Sequence, residues 1–345
     1  MSNESRTTVA FVPRETFSQT ERALEKLYER TAGNFELICV DGGSPPSVQK
    51  YLEEASREKG FLLIRADGYI SPNQARNLAL DHVTSEYVVF VDNDCLVTPG
   101  WLDALVRCSD ETGAWVVGPL YCEFEPEGER IHMSGGTCRI TEFGDRGRSY
   151  VERHHNPHID LARAAFDRRR YETELIEFHV VLVRMTVFER IGRLDPELTC
   201  MFEHGDLCLQ VRQAGGSVFI EPEAIVTYVP PQRLQQADRE YYQLRWSEAW
   251  MEATIGRLIE KYGLSKADLE IDKARGWVRH HRRHRLTWIN ELPRHVGDKW
   301  ASRICRYIVA PFEIAHNRVR FFLRNRNDGS AKRVVIGLPR ADRKS

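Results

Sequence analysis

Apolar residues in this chain fall into short runs, and between the runs they recur at helical spacing. Val9-Ala10-Phe11-Val12 is the first run; Phe35 to Val40, Phe61 to Ile64, Tyr87 to Val91 and Trp115 to Gly118 follow. Short apolar runs bounded by polar turns predict strands buried on both faces, as in a parallel sheet covered by helices. The segments between them read as helices. Leu24, Leu27 and Tyr28 share one face behind Ser18-x-x-Glu21, which has the spacing of a capping box. Val48, Tyr51, Leu52 and Ala55 line a second helix, with Gly60 as its C-cap. Ser71-Pro72 opens a third with Ala75, Leu78 and Ala79, and Thr98-Pro99 opens a fourth with Leu102, Leu105 and Val106. Strand and helix in alternation predict an α/β fold with a mostly parallel sheet and right-handed crossovers.

The pattern changes after residue 120. Residues 121–175 are polar and irregular, rich in Arg, Glu and His, and read as a loop-rich insertion. A strand is expected at Phe178 to Val183, then a short helix with Val187, Phe188 and Ile191. Met201 to Asp206 leads into a helix that Gly215-Gly216 ends, and strands follow at Val218 to Ile220 and Ile225 to Val229. From Gln232 onward the spacing of Tyr241, Leu244, Trp246, Trp250 and Ile255 is helical. The expected organisation is a domain over 1–235 and a helical, basic extension over 236–345.

The 345 residues, 42% of them hydrophobic, suffice for one large core plus an appendage. A net charge of −1 hides an asymmetry: residues 275–345 carry 18 Lys+Arg against 5 Asp+Glu, which leaves the rest acidic. No apolar stretch approaches the length of a membrane span, and Met1 to Arg6 lacks the features of a signal peptide. The eight cysteines form no C-x-x-C pair and read as buried, reduced thiols of a cytoplasmic protein.

The sharpest chemical feature is Asp92-Asn93-Asp94, directly behind the run Tyr87 to Val91. It falls where open α/β sheets bind ligands, at the carboxyl ends of their strands, and Asp41 shares that edge. Two carboxylates two residues apart suit a hard divalent cation, Mg²⁺ or Mn²⁺, whose other positions substrate phosphates can fill. Asp and Asn are also common turn residues. The turn Asp41-Gly42-Gly43 lacks the G-x-G-x-x-G pattern of a dinucleotide fold, and no P-loop is present.

In order and spacing the motifs resemble those of family 2 glycosyltransferases of the GT-A fold. The stretches are Val9 to Arg14, Val40 to Ser44, Asn73 to Asn77, Val91 to Asp94, and Ile191 to Asp195 continuing through Glu203 to Leu207 and Ala214 to Gly216. The resemblance implies transfer of a sugar from a nucleotide-sugar, UDP-linked by family frequency, to an acceptor hydroxyl, with inversion. It places Asp41 on the nucleobase with Pro13 and Arg14 beside it, Arg76 near the donor, Asp92 and Asn93 along the nucleotide, and Asp94, with Asp92, on the metal. The base would come from Glu203, ahead of Asp206, which is equally placed as a plain N-cap, and of His204, which stands where the family has Asp. Many relatives carry a metal-binding histidine after the last sheet strand; here Tyr228 stands there. The expected acceptor is a hydroxyl of a glycan or of a lipid-linked molecule.

Two other readings come from outside this class. A sugar nucleotidyltransferase would carry a Gly-rich phosphate loop where Pro13-Arg14-Glu15-Thr16 stands, and a catalytically inactive relative would serve as a binding or scaffold subunit. His280-His281-x-x-His284 has zinc-ligand spacing but lies among Arg279, Arg282, Arg283 and Arg285, so a solvated basic face is expected. The tail mixes Arg with Trp277, Trp288, Trp300, Tyr307, Phe312, Phe321 and Phe322. It reads as a helical subdomain packed on the core, or as a peripheral contact with an anionic membrane at its inner face; nucleic acid is not an expected partner.

Overall fold

In the computed structural model, which describes residues 5–163, 168–231, 233–266, 268–283, 287–325 and 333–336, the apolar runs become strands at the expected places. The chain runs β1 (Thr7–Val12), α1 (Thr20–Arg30), β2 (Glu36–Asp41), α2 (Pro46–Lys59), β3 (Leu62–Ala66), α3 (Pro72–Leu80), β4 (Tyr87–Asp92), β5 (Cys95–Val97) and α4 (Trp101–Thr112). Next come β6 (Val116–Glu123), β7 (Ile131–Met133), β8 (Gly136–Glu142), β9 (Arg148–His154), β10 (Tyr171–Thr173), β11 (Val180–Arg184), α5 (Thr186–Ile191), α6 (Glu203–Gln213) and β12 (Val218–Tyr228). Helices α7 (Arg239–Arg245), α8 (Glu248–Tyr262), α9 (Leu269–Arg283), α10 (Thr287–Val296), α11 (Asp298–Ile304) and α12 (Ala310–Asn325) follow, and β13 (Arg333–Ile336) ends the described chain.

The main sheet has the order β10-β12-β6-β11-β4-β1-β2-β3-β13. β3, β2, β1 and β4 are parallel; β11 enters antiparallel between β4 and β6, and β12 runs parallel to β6. Both faces are covered. Along β4, Val88 and Phe90 join one apolar cluster, while Tyr87, Val89 and Val91 join the other. Each such fully buried side chain contributes on the order of 1.5–3 kcal/mol. Ser71 caps α3 with Gln74 in a reciprocal box, and Gly60 closes α2 at φ 73°.

Four expectations are corrected. Residues 121–175, read as loops, hold the end of β6, β7, the hairpin β8–β9 and β10. The inward positions of that hairpin are Gly136, Cys138 and Tyr150, so it lacks the apolar stripe that identifies a strand. The two strands expected over 218–229 are one strand, β12, with a register shift between Glu221 and Ile225. Ser18-x-x-Glu21 is not a capping box: α1 starts at Thr20, and Ser18 donates its backbone N–H and its hydroxyl to Asp238, at 2.8 Å each. β13 lies in the segment expected to be wholly helical and pairs with β3 at the sheet edge.

Helices α7, α8 and α9 bury Tyr242, Met251, Ile255, Leu258, Ile271, Ala274 and Val278 in the same cluster as the sheet. Arg282 is buried between Glu248 at 2.8 Å and Glu313 at 2.6 Å, and locks α9 to α8 and α12. His281 lies against the Trp246 and Trp277 rings; His284 and Arg285 lie outside the described residues, as does the side chain of Phe322. All eight cysteines are free, seven of them buried. Among the described residues, no helix is long and apolar enough to cross a membrane.

Candidate functional site

β4 delivers Asp92, Asn93 and Asp94 to the carboxyl edge of the sheet, where β1 delivers Pro13 and Arg14. Asp92 is fully buried and accepts hydrogen bonds from the guanidiniums of Arg14 and, at 3.1 Å, Arg76. Asn93 ties the two loops together. Its Oδ1 accepts the Arg14 backbone N–H at 2.8 Å, and its Nδ2 donates to Thr16 O and Thr20 Oγ1. Asp94 is 3% exposed and makes no ion pair among the described residues. Burial pushes its carboxyl up to about 6, against the pull of Arg14 and His179.

Arg76 is wholly buried and stacks over the Phe178 ring at 3.8 Å. Burial brings its guanidinium down to about 10, so it stays charged near neutrality. Asp41 ends β2, two strands from β4, which is about 10 Å at ordinary strand spacing. Its carboxylate is engaged in its own turn, by Ser44 N–H at 2.7 Å, Ser44 Oγ at 2.8 Å and the Arg65 guanidinium. That turn needs Gly43: its φ is 89°, and a Cβ there would meet the backbone of Gly68 at 2.9 Å.

Glu203 opens α6 behind Phe202, a non-glycine residue held at φ 68°. Glu15, on the facing loop, is held at φ 47°. Such strained backbone persists only where packing over-determines it. Arg245 from α7 joins the two, donating to Glu203 at 2.6 Å and to Glu15 at 3.1 Å. Burial raises the Glu203 carboxyl, but the Arg245 guanidinium outweighs it and the net shift is downward. Arg14, Arg76 and Arg245 thus face Glu15, Asp92, Asp94 and Glu203 in one buried cluster.

The other candidates turn away from it. Asp206 is not an N-cap: it lies in the first turn of α6, with its N–H on Phe202 O. Its carboxylate takes Lys261 Nζ and Tyr262 Oη at 2.6 Å each. His204 Nε2 lies 3.2 Å from Glu152 of β9. Burial lowers the imidazole pKa, the Glu152 charge raises it, and the net is upward to about 9.

Sequence reasoning missed Glu15, Arg245 and a group of histidines. The signal for Arg245 was a cation in a mostly aromatic and apolar stretch, Tyr241-Tyr242-Gln243-Leu244-Arg245-Trp246. His179 stood inside a strand-like apolar run; its ring stacks on Tyr228, centroids 4.2 Å apart at 22°. Ligand atoms of Asp94, Cys95 and His179 lie within 4.8 Å of one another.

Buried polar atoms without a hydrogen-bond partner are rare. Among the described residues they include Arg14 Nε, Thr16 Oγ1, Arg76 Nε and His179 Nδ1, all around Asp92 to Asp94. Orphaned donors beside an unpaired carboxylate and an open imidazole nitrogen are the donor set of a cation–anion site, so the residues fit a divalent metal holding phosphate oxygens.

Residues 15–175 match the family model described as glycosyl transferase family 2. These residues belong to that family. The succinoglycan biosynthesis protein ExoM of Rhizobium meliloti is 27% identical over 124 residues, 35% of this chain and 40% of its own length. Glycosyltransferase GlyA of Streptococcus pneumoniae is 22% identical over 245 residues, 70% of this chain and 32% of its own. The chain therefore spans less than half the length of either relative. Among solved structures, GalNAc-T7 with UDP, GalNAc and Mn²⁺ superposes with a TM-score of 0.53 at 16% identity, covering 86% of this chain and 58% of that one. The fold is GT-A: a mostly parallel, helix-flanked α/β sheet.

Proposed function

We propose that the protein is an inverting, metal-dependent glycosyltransferase that moves a sugar from a UDP-linked donor to a hydroxyl of a glycan or lipid-linked acceptor. The observation that carries this reading is the set of orphaned polar atoms around Asp94, whose hydrogen-bonding capacity a charged ligand would satisfy. The Mn²⁺ and UDP of the similar GalNAc-T7 structure support it.

Asp94, with Asp92 behind it, holds Mg²⁺ or Mn²⁺; when bound, such an ion neutralises diphosphate charge and acts as a Lewis acid. Arg14 and Arg76 face the same diphosphate, and Asn93 holds the Arg14 loop in place for it. Asp41 faces the nucleobase through the rim of its turn. Glu203 takes the acceptor hydroxyl proton onto a carboxylate oxygen. The freed oxygen bonds to the anomeric carbon as the carbon–oxygen bond to diphosphate breaks, its electron pair leaving with the phosphate. Glu203 suits this task because Arg245 keeps it ionised. His204 suits it less, because Glu152 keeps its imidazole protonated near neutrality.

A thermal-shift panel of UDP-, GDP- and dTDP-sugars with and without Mn²⁺ tests the reading. A UDP-sugar with Mn²⁺ should raise Tm, by the equivalent of about 2.7 kcal/mol at a hundredfold excess over Kd. Asp94→Ala should remove the rise. No shift with any nucleotide-sugar would discard the donor assignment.

A further inference from the structure

Resting on the metal reading above, we propose that His179 is a direct ligand of the divalent cation, supplied from the start of β11. Tyr228, the last residue of β12, stands roughly where the resemblance implies a metal-binding histidine.

Three observations converge. First, β11 pairs with β4 so that His179 lies beside Asp92: the Asp92 N–H donates to His179 O at 3.0 Å. That register puts an imidazole within 4.8 Å of the ligand atoms of Asp94 and Cys95. Neighbouring ligands of a six-coordinate ion lie about 3 Å apart and opposite ones about 4.2 Å, so only a small adjustment closes the shell. Second, Nδ1 of His179 is buried without a hydrogen-bond partner. An open nitrogen in a polar site is costly unless a ligand meets it. Third, the other nitrogen is already committed. Nε2 lies 3.2 Å from Glu177 Oε2, and that carboxylate is held by His132 at 3.0 Å and His154 at 3.4 Å. A carboxylate on the far nitrogen fixes the tautomer and ring orientation of a ligating histidine and raises its basicity.

Tyr228 completes the support. Its ring stacks on His179 and prevents the imidazole from swinging out of line. The arrangement also bears on which ion is used. Mg²⁺ prefers an all-oxygen octahedron, whereas an imidazole in the shell favours a transition ion such as Mn²⁺.

The test uses the full chain, with no affinity tag, and Mn²⁺ as the probe, alone and with UDP. Free Mn²⁺ is counted by EPR, and pulsed EPR reads ¹⁴N modulation from a coordinated imidazole. Wild type should show that modulation and bind Mn²⁺ more tightly than Mg²⁺. His179→Ala should lose the modulation, weaken Mn²⁺ binding about tenfold or more, and narrow the preference over Mg²⁺. Glu177→Gln should keep the modulation and weaken Mn²⁺ by roughly 10–100-fold. His132→Gln should keep the modulation, which separates a ligand from a neighbouring ring. Wild-type protein that binds Mn²⁺ through Asp94 without ¹⁴N modulation would overturn the proposal and leave the metal reading standing. Wild type that binds no Mn²⁺ with or without UDP would end both. The wild-type spectrum decides the matter even if a variant fails to fold.

Discussion

Glu203 and its neighbour His204 show how adjacent side chains acquire different chemistry. Glu203 is ionised by Arg245, 2.6 Å away, and lies in the cluster with Asp92 and Arg76. Glu203→Gln should lower kcat roughly 10²–10⁴-fold. The Tm rise given by a UDP-sugar with Mn²⁺ should persist. Equal turnover in the variant would remove Glu203 from the chemistry. His204 instead points to Glu152, and its pKa is raised from the ordinary 6.5 to about 9. A cation stabilised in the folded state contributes stability that is fully present below about pH 6.5 and is lost as pH rises through about 9. Urea unfolding of wild type should therefore show a decline between pH 6.5 and 9, by roughly 1–3 kcal/mol. His204→Gln should flatten that slope. An unchanged slope would mean that His204 is not charged at neutral pH.

At the level of elements, α6 is seated by contacts that lie far from it in sequence. Asp206 clamps α6 to α8 through Lys261 and Tyr262, and the hairpin β8–β9 packs against its first turn. A Cβ on Gly205 would lie 1.8 Å from the Tyr150 hydroxyl. On an open helix, replacing Gly by Ala stabilises by about 1 kcal/mol. Here the sign should reverse: Gly205→Ala should cost roughly 1–3 kcal/mol through overpacking and reduce kcat by displacing Glu203. A raised Tm for Gly205→Ala would contradict the packing of the hairpin on α6. This contact also explains what was legible. Strands β1 to β4 and the Asp92–Asp94 edge could be read because long apolar runs announce a doubly covered sheet. The hairpin could not, because Gly136, Cys138 and Tyr150 fill its inner face without an apolar stripe. Arg245 reaches Glu203 from 42 residues away in sequence, a distance at which periodicity carries no information.

The whole molecule joins an acidic body to a basic end, and the parts of that end behave differently. α9 belongs to the body: Ile271, Ala274 and Val278 are buried in the main core, and Arg282 bridges Glu248 and Glu313. Cutting the chain at residue 275 would strand Glu248 and uncover Trp246, so a loss of activity would report unfolding. α12 is anchored to the body by Glu313, Asn317 and the buried Phe321, but its outer face, with α11 and the π-helical turn between them, is different. Trp300, Tyr307, Phe312 and Val319 are 61–76% exposed, with Arg303 over the Trp300 ring and Arg306 over the Tyr307 ring. Aromatic and cationic side chains displayed together are complementary to an anionic bilayer, where the rings enter the interface and each Arg adds about 1 kcal/mol. This surface is the basis for placing a lipid-linked acceptor beside the protein. Trp300→Ser/Tyr307→Ser/Phe312→Ser touches no buried contact and should leave the free energy of unfolding within about 1 kcal/mol of wild type. The wild-type chain should pellet with vesicles containing anionic lipid at low salt, pellet less at high salt as charge is screened, and not pellet with neutral vesicles. The triple variant should stay in the supernatant while still releasing nucleotide with a water-soluble acceptor. Failure of the wild type to pellet with anionic vesicles would mean that this face does not bind membrane, and the acceptor would then be sought among soluble glycans.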